Sequence, residues 1–374
     1  MSFELRKLED VCDILDHIRI PITSRDRKDG PYPYYGANGI QDYIDDYIFD
    51  DDLVLLAEDG GNFGSKEKPI AYRISGKTWV NNHAHVLKPK NIIDVDYLCY
   101  SLMYYDVSGL VNGATRQKLT QSEMRKINIR YRSLEKQRQI VFKIKLVSNI
   151  ISSREHQLSN LNLLVKSRFI EMFGDPKSNP KGWNKKTLSE IITKANNGMA
   201  RRGNDESGSI VLRLVELQGG FIDYSKPNRI ILTEKEQEKY LLQENDILFA
   251  RVNGNPLNVG RCAVFHTIDE AVYHNDHIIR VHFDDSLING VFASNILNSE
   301  YGKDQLKNKI KTSAGQYTIS QDGIGAIESI MPPIELQNQY ADFVAQVDKS
   351  KLAIQQSLDE LETLKKSLMQ QYFG

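Results

Sequence analysis

The chain has 374 residues, of which 40% are hydrophobic and 26% are charged, and its formal net charge at pH 7 is −1. This length predicts about two or three domains, and the composition is that of a globular protein with a buried core rather than of a disordered chain. The sequence contains no apolar run of about eighteen residues and starts with polar residues, which argues against a membrane span and a secretory signal. Cys12, Cys99 and Cys262 are odd in number and far apart, so they exclude a paired disulfide framework and predict a reducing, cytoplasmic location.

Residues 1–132 predict a first mixed globular unit. Short apolar runs such as Val54–Ala57 are separated by turn residues, and Val95–Tyr105 has the pattern of a helix. Basic residues, amides and tyrosines gather near its predicted loops, namely Tyr34, Tyr35, Asn38, Arg116, Gln117 and Lys118.

Residues 133–174 predict a long helix with a coiled-coil seam. Apolar residues recur at alternating steps of four and three, and Ser133 is a suitable N-cap. The first-helix seam includes Ile144, Val147, Leu158 and Leu161. A helix of ~39 residues would be about 58 Å long. That length favours pairing with a second long helix over lying alone on a globular core.

A connector at residues 175–182, rich in proline and glycine, leads to a second mixed unit at residues 183–332. Ile247–Ala250 matches Val54–Ala57, and the segment from Val272 through His277 to Ile279 matches the one from Val80 through His85 to Leu87. Helical stretches are predicted over residues 290–308. The corresponding candidate contact residues are Arg201, Arg251, Asn253, Lys309, Lys311, Gln316 and Tyr317.

Residues 333–374 repeat the first long helix. When the sequence is shifted by 200 residues, Ile334–Gly374 aligns with Leu134–Gly174 without a gap, and Gln337 falls on Gln137. Ala114 and Ala314 also match at this shift. The second seam includes Val344, Val347, Leu358 and Leu361. The chain therefore predicts an α+β protein with an internal pseudo-two-fold repeat, in which two globular units alternate with two long helices.

Motifs for catalysis are missing from the sequence. It contains no G-x-x-x-x-G-K-S/T loop, and Asn255-Pro256-Leu257 lacks the second proline and the aromatic residue expected of an amino-methyltransferase, so it predicts a turn. His83 and His85 could share one side of a strand, and His274, His277 and His282 lie close in sequence. Nothing completes a ligand set around these histidines, and the sequence predicts no metal site.

The loop residues favour DNA recognition when they are taken together. Lysine and arginine neutralise phosphates, while arginine, asparagine and glutamine make paired hydrogen bonds to base edges in the major groove. Two similar units that read duplex DNA from one side are best related by a dyad perpendicular to its axis. This symmetry would make helices along the DNA antiparallel, with half-site centres about 34–36 Å apart. For any single residue, an ordinary solvated loop side chain is the alternative.

The chain resembles the DNA-specificity subunits of Type I restriction–modification systems along nearly its whole length. The resemblance rests on the duplicated plan and on four short motifs. These motifs are Tyr34-Tyr35-Gly36-Ala37-Asn38-Gly39, Ala314-Gly315-Gln316-Tyr317-Thr318-Ile319-Ser320, Pro332-Pro333-Ile334-Glu335-Leu336-Gln337 and Phe173-Gly174-Asp175-Pro176. Two departures concern the first helix: Tyr131-Arg132-Ser133 replaces Met331-Pro332-Pro333, and Lys136 stands where relatives tend to have an acid or a glutamine.

The resemblance implies two target-recognition domains, each reading half of a bipartite double-stranded DNA site, and an antiparallel coiled coil that sets the spacer. It also implies two methyltransferase subunits and restriction–translocation subunits as partners. S-adenosylmethionine, ATP and magnesium would then be bound only by those partners. Two alternatives remain open: a coiled-coil protein–protein adaptor without DNA specificity, and a cryptic nuclease or methyltransferase.

Overall fold

A computed structural model describes residues 3–65, 67–113, 116–313 and 315–374, except for the side chain of Ser313. Ala114 and Ala314, which the repeat pairs, lie outside the described residues. The chain forms two compact units, Met1–His156 with Ile354–Gly374, and Gln157–Ala353. Each unit contains one globular region and one part of each long helix. In the part of the chain that is described, no helix combines the length and apolar character needed to cross a membrane.

The first unit is built on two four-stranded sheets with the strand orders β2-β9-β6-β7 and β4-β3-β8-β5, and on the smaller pairs β1-β12 and β10-β11. Its elements are β1 (Glu4–Lys7), α1 (Leu8–Val11), β2 (Cys12–Ile14), β3 (Tyr32–Gly36), β4 (Gly39–Ile44), β5 (Phe49–Asp50), β6 (Leu53–Ala57), β7 (Ala71–Ile74), β8 (Lys77–Val80), β9 (Ala84–Pro89), α2 (Val95–Met103), β10 (Val111–Asn112), β11 (Lys118–Leu119), α3 (Gln121–Met124), β12 (Asn128–Tyr131) and the start of α4 (Leu134–Phe173).

The second unit repeats this plan, with the sheet orders β14-β21-β17-β19, β16-β15-β20, β13-β24 and β18-β23-β22. Its elements are β13 (Lys185–Thr187), β14 (Ile192–Asn197), β15 (Ser209–Leu212), β16 (Arg229–Ile230), α5 (Glu234–Tyr240), β17 (Ile247–Ala250), β18 (Val252–Asn253), β19 (Cys262–Val264), β20 (Val272–His274), β21 (Ile278–Phe283), α6 (Gly290–Asn298), α7 (Glu300–Lys307), β22 (Lys311–Ser313), β23 (Gln316–Thr318), α8 (Gln321–Gly325), β24 (Glu328–Ile330) and the start of α9 (Ile334–Phe373). The predicted α+β class and internal repeat are confirmed.

The repeat is visible in the strand pairing. The apolar strands β6 and β17 are buried along their whole length, which explains why they occupy central positions in equivalent sheets. The helical stretch predicted over residues 290–308 is two helices. They divide at Ser299, whose side chain accepts a hydrogen bond from the backbone of Gly302 and so starts a new helix.

One predicted equivalence within the repeat is wrong. The sequence match paired His85 with His277, but in the sheets Leu56 lies opposite His85 while its counterpart Phe249 lies opposite Ile279. His277 instead corresponds to His83. The segment between β6 and β9 and the segment between β17 and β21 differ in length by a small number of residues. The local sequence match is therefore displaced.

The long helices pack in opposite directions within each unit. In the first unit, Ile140 and Ile144 near the start of α4 share a core with Tyr372 near the end of α9. In the second unit, the rings of Phe169 and Phe173 near the end of α4 each lie 5.5 Å from the ring of Tyr340 near the start of α9. The predicted antiparallel coiled coil is therefore confirmed.

The side chains at the predicted seam positions of α4 and α9 are buried or half-buried. The seam residues Ile144, Val147, Val344, Val347 and Leu358 are buried, and Leu158, Leu161 and Leu361 are half-buried. Leu164 and Leu364, which the repeat also matches, lie off the seam and are each 46% exposed.

A buried glutamine near the start of each long helix fastens that helix to its globular region. The Gln137 side chain accepts a hydrogen bond from Asp94 N (2.8 Å) and donates to Ile92 O (3.1 Å) and to the carbonyl of the residue five positions before it (2.7 Å). Gln337 makes the same three contacts, with Asn289 N (2.9 Å), Leu287 O (3.1 Å) and a carbonyl at 2.8 Å. Asp94 and Asn289 are the N-caps of α2 and α6, so each glutamine fixes a long helix against a capped shorter one.

Arg132 gives the first long helix a different start from the second. Its guanidinium is buried, donates to the hydroxyl of Tyr97, and lies 3.3 Å from the carbonyl oxygen of Tyr372. Arg132, which stands where the second copy has Pro332, therefore joins the first globular region to the end of α9.

Candidate nucleic-acid interface

The same two backbone hydrogen bonds lie at the end of the central strand in both globular regions, β6 in the first and β17 in the second. We call this pair of hydrogen bonds the backbone frame. In the first region, Glu58 N donates to His83 O (2.9 Å) and Leu119 N donates to Glu58 O (2.7 Å). In the second, Arg251 N donates to His277 O (2.8 Å) and Ile319 N donates to Arg251 O (3.0 Å). Glu58 and Arg251 thus occupy equivalent positions and differ in charge.

A buried asparagine shapes the neighbouring turn in each frame. The side-chain oxygen of Asn81 accepts from His83 N (2.8 Å), and that of Asn275 accepts from His277 N (3.1 Å). Neither asparagine is among the contact residues predicted from the sequence. The signal that could have found them is the repeated Asn-x-His pattern directly before a β-strand.

In the first region, several predicted contact residues meet around this frame. Arg116 Nη2 lies 2.5 Å from Asp59 Oδ1, which also lies 2.7 Å from His83 Nδ1. Lys118 Nζ lies 2.9 Å from Glu58 Oε1. Both cations are thus compensated by a carboxylate.

Asn38 joins the same surface from the β3–β4 turn, because its side chain donates to Gly60 O at 2.9 Å. Gln117 is exposed beside the β10–β11 pair. The structure therefore brings Asn38, Arg116, Gln117 and Lys118 together around residues 58–60.

Tyr34 does not lie on this surface, and its contact with DNA stays a prediction. Its side chain is 1% exposed, its hydroxyl donates to Ile22 O at 3.3 Å, and the Arg27 guanidinium lies 4.1 Å from its ring centre. Tyr35 is half-buried, with its ring 5.9 Å from that of Tyr72, and burial raises the pKa of Tyr35.

A cluster of buried ion pairs lies next to the backbone frame of the first region and includes Glu58. His85 Nδ1 lies 2.6 Å from Asp16 Oδ2, and Arg19 Nη1 lies 2.6 Å from Glu58 Oε2. Burial alone would raise the pKa of the Glu58 carboxyl, but hydrogen bonds from Arg19 and Lys118 outweigh it, so this pKa lies below its ordinary value. Asp16, Glu58 and His85 are close enough to share a cation. Because Arg19 and Lys118 already neutralise the carboxylates, the cluster fits an ion-pair network better than a metal site.

In the second region, a small three-stranded sheet gathers the predicted residues. Asn253 in β18 lies opposite Tyr317 in β23, and Lys311 in β22 lies opposite Thr318. Gln316 is exposed at the hairpin turn, and Arg251 directly precedes β18. Lys309 precedes the hairpin and is half-buried.

Arg201 lies in another part of this region. Its guanidinium makes two contacts with Glu236, at 3.1 and 2.7 Å, and these contacts lower the pKa of Glu236 to about 2. Its neighbour Arg202 reaches the frame instead, with Nη2 2.6 Å from Asp276 Oδ1. Both arginines line a cavity of about 130 Å³ together with Arg213 and the buried Asn228 and Asn275.

The two candidate surfaces therefore differ in charge compensation. Arg116 and Lys118 are paired with carboxylates, whereas Lys309 and Lys311 form no ion pair with any residue that the structure describes. The second surface thus presents cations whose charge is available to an external anion.

The family of the Type I restriction modification DNA specificity domain matches residues 2–163 and 180–363, one match for each globular region with most of its helix. The chain belongs to this family.

This family member resembles the specificity subunit of the Type I restriction enzyme StySPI from Salmonella potsdam, with 25% identity over 92% of this chain and 82% of the relative. The crystal structure of a Type I restriction–modification S subunit from M. genitalium matches with a TM-score of 0.63 and 13% identity, over 100% of this chain and 96% of that one. A chain from a structural study of complex assembly and conformational transition in the Type I system matches with a TM-score of 0.57 and 14% identity, over 100% and 97%. The fold is thus that of specificity subunits, and the function of the family is DNA-sequence recognition.

Proposed function

We propose that this chain is the non-catalytic specificity subunit of a Type I complex and that each globular region reads one half of a bipartite DNA target. One observation carries the proposal. The hydrogen-bonded frame around Glu58 and that around Arg251 are the same, but the side chains around them differ. A constant frame with different polar side chains suits two readers of different base sequences.

The side chains at the two frames suit different parts of a DNA site. Asn38, Gln117, Asn253 and Gln316 can each make paired hydrogen bonds to an adenine edge, and arginine can do so to guanine. Lys309 and Lys311 suit phosphate contacts, which position a protein on DNA without reading sequence.

The exposed faces of the long helices are the proposed docking surfaces for two methyltransferase subunits, with restriction–translocation subunits joining them. The first half of α4 carries three exposed apolar side chains at helical spacing, Phe142, Leu146 and Ile150, which are 66%, 49% and 37% exposed. The matching positions of α9 hold Asp342, Gln346 and Ser350. An exposed apolar stripe supports a protein partner. We assign S-adenosylmethionine, ATP and magnesium to the partners, and a cytoplasmic location to the complex.

The central test maps adenine methylation across a genome in cells with and without this chain, with the methyltransferase partner present in both. Loss of methylation at one split motif, two short words separated by a fixed gap, is the expected result. An unchanged map would contradict DNA specificity. A partner complex without any DNA preference would instead favour the adaptor function that the apolar stripe of α4 could also serve.

Charge compensation predicts unequal effects of removing cations from the two surfaces. The double substitution Lys309→Ala with Lys311→Ala is expected to reduce the slope of log affinity against log salt concentration by about two. Arg116→Ala with Lys118→Ala should reduce it less, because those cations already pair with Asp59 and Glu58. Fluorescence anisotropy across a salt series measures both slopes, and equal slopes for both double variants and the unaltered chain would contradict phosphate contacts at either surface.

A further inference from the structure

One large apolar side chain projects into solvent from the loop that follows β18. Leu257 is 83% exposed, the highest value among the large hydrophobic side chains in the part of the chain that is described. Its loop begins at Arg251 and Asn253 and therefore adjoins residues already placed on the candidate interface.

The loop holds Leu257 in place with internal hydrogen bonds. Asn253 Oδ1 accepts from Asn255 N (2.9 Å), and Asn255 Oδ1 accepts from Leu257 N (3.0 Å). Pro256 restricts the backbone of a short 3₁₀ turn, Pro256–Asn258, and Gly260 N donates to Ala250 O (2.8 Å) to close the loop. An ordered turn that keeps a leucine in solvent gains nothing for folding, which favours a role in binding.

In the corresponding loop of the first region, the large apolar side chain is packed rather than exposed. After β6, Phe63 occupies the equivalent loop, and it is half-buried and packed against the hydrophobic core. Among the described residues of these two loops, a projecting apolar side chain is present only in the second region, as expected for a residue that reads sequence rather than one that maintains the shared frame.

The neighbouring hairpin indicates which part of DNA Leu257 would meet. β18 pairs with β23 in a three-stranded sheet, but the hairpin of β22 and β23 continues to the pair of Ser313 with Gln316, beyond the last pair of Asn253 with Tyr317. A two-stranded β-ribbon of this kind fits the major groove. Within the major groove, the 5-methyl group of thymine is the apolar feature that distinguishes one base from the others. We propose that Leu257 contacts the 5-methyl group of a thymine in the half-site read by the second region, a specificity contact that rests on the proposed function.

The test removes that methyl group from DNA and shortens the side chain, separately and together. The full chain is titrated with target duplexes in which each thymine in turn is replaced by deoxyuridine, which keeps every hydrogen bond of thymine. At one position in the second half-site, replacement should weaken binding about fourfold, the effect of burying one methyl group. Leu257→Ala should weaken binding to the thymine duplex by a similar factor and should no longer distinguish deoxyuridine from thymine.

The matched control is Ile268→Ala. Ile268 is 42% exposed and follows the opposite end of β19, away from the loop that holds Leu257. It should bind like the unaltered chain and retain the response to deoxyuridine. Leu257→Ala should keep the unaltered unfolding transition, because its side chain is exposed.

Several results would overturn the contact. These are a second half-site without thymine, equal binding of thymine and deoxyuridine duplexes by the unaltered chain, or an unchanged deoxyuridine effect in Leu257→Ala. A rise in 2-aminopurine fluorescence that depends on Leu257 would also overturn it, because it would mean insertion between bases. If the unaltered chain shows no preference for the split motif over other DNA, the proposed function itself is refuted.

Discussion

Gln337 makes a contact whose energetic contribution can be worked out from its geometry. The side chain is fully buried, and its three hydrogen bonds to Asn289 N, Leu287 O and a third carbonyl measure 2.9, 3.1 and 2.8 Å. At about 1 kcal/mol for each bond, Gln337→Ala should lower the free energy of unfolding by ~3 kcal/mol, with the unpaired backbone groups adding to the loss.

Gln337→Glu separates hydrogen bonding from side-chain size. Glutamate keeps the shape and can still accept from Asn289 N, but as a carboxylate it cannot donate to the two carbonyls. It should therefore destabilise the second unit as well. Gln339→Ala is the control, because Gln339 lies exposed on the same helix and should change stability by less than about 0.5 kcal/mol.

Denaturant unfolding measures the global effect, and amide hydrogen exchange at the first turn of α6 measures it locally, since the two units need not unfold together. The expected result is faster exchange in that turn for both Gln337 variants. Stability within about 0.5 kcal/mol of the unaltered chain, with unchanged exchange in α6, would refute the reasoning.

Two further predictions concern the helix seam and the buried charges. Leu358→Ala should cost ~2–5 kcal/mol, because Leu358 is buried in the seam, while Leu364→Ala at a 46% exposed position should cost little; equal losses in thermal unfolding would contradict the seam assignment. The depressed pKa of Glu58 means that its ionised form, held by Arg19 and Lys118, stabilises the fold above the ordinary carboxyl pKa of 4.5, and that this stability is lost as the pH falls below that value. Glu58→Gln should flatten this acid limb of a stability–pH curve, and an unchanged acid limb would argue against the ion-pair cluster.

The repeat and both long helices were predictable because their signals are local and gapless. A period of 3.5 residues places seam side chains on one face whatever the rest of the chain does. Even the matching of Gln137 with Gln337 was visible, although two of the three partners of each glutamine lie more than forty residues away and only the structure identifies them.

The candidate surface was less predictable, for three physical reasons. Alternation along β3 places Tyr34 and Tyr35 on opposite faces, and sequence alone did not indicate that Tyr34 faces the core. Arg116 pairs with Asp59 across 57 positions, so its compensated charge leaves no local trace. The mismatch of His85 with His277 arose because unequal loops shift the register between the two regions.

The composition of the first unit has a consequence for the order of folding during synthesis. Arg132, Tyr97 and the core around Ile140 make contacts with Tyr372 and Phe373, which are translated more than 200 residues later than Arg132. At roughly 5–20 residues per second, the ribosome needs on the order of 10–50 s to supply them. The second unit, Gln157–Ala353, is a continuous segment. It can complete its core while the first unit still lacks residues 354–374. The region made first is thus finished last, and during that interval its apolar surface is open to chaperones, to proteases or to the wrong helix.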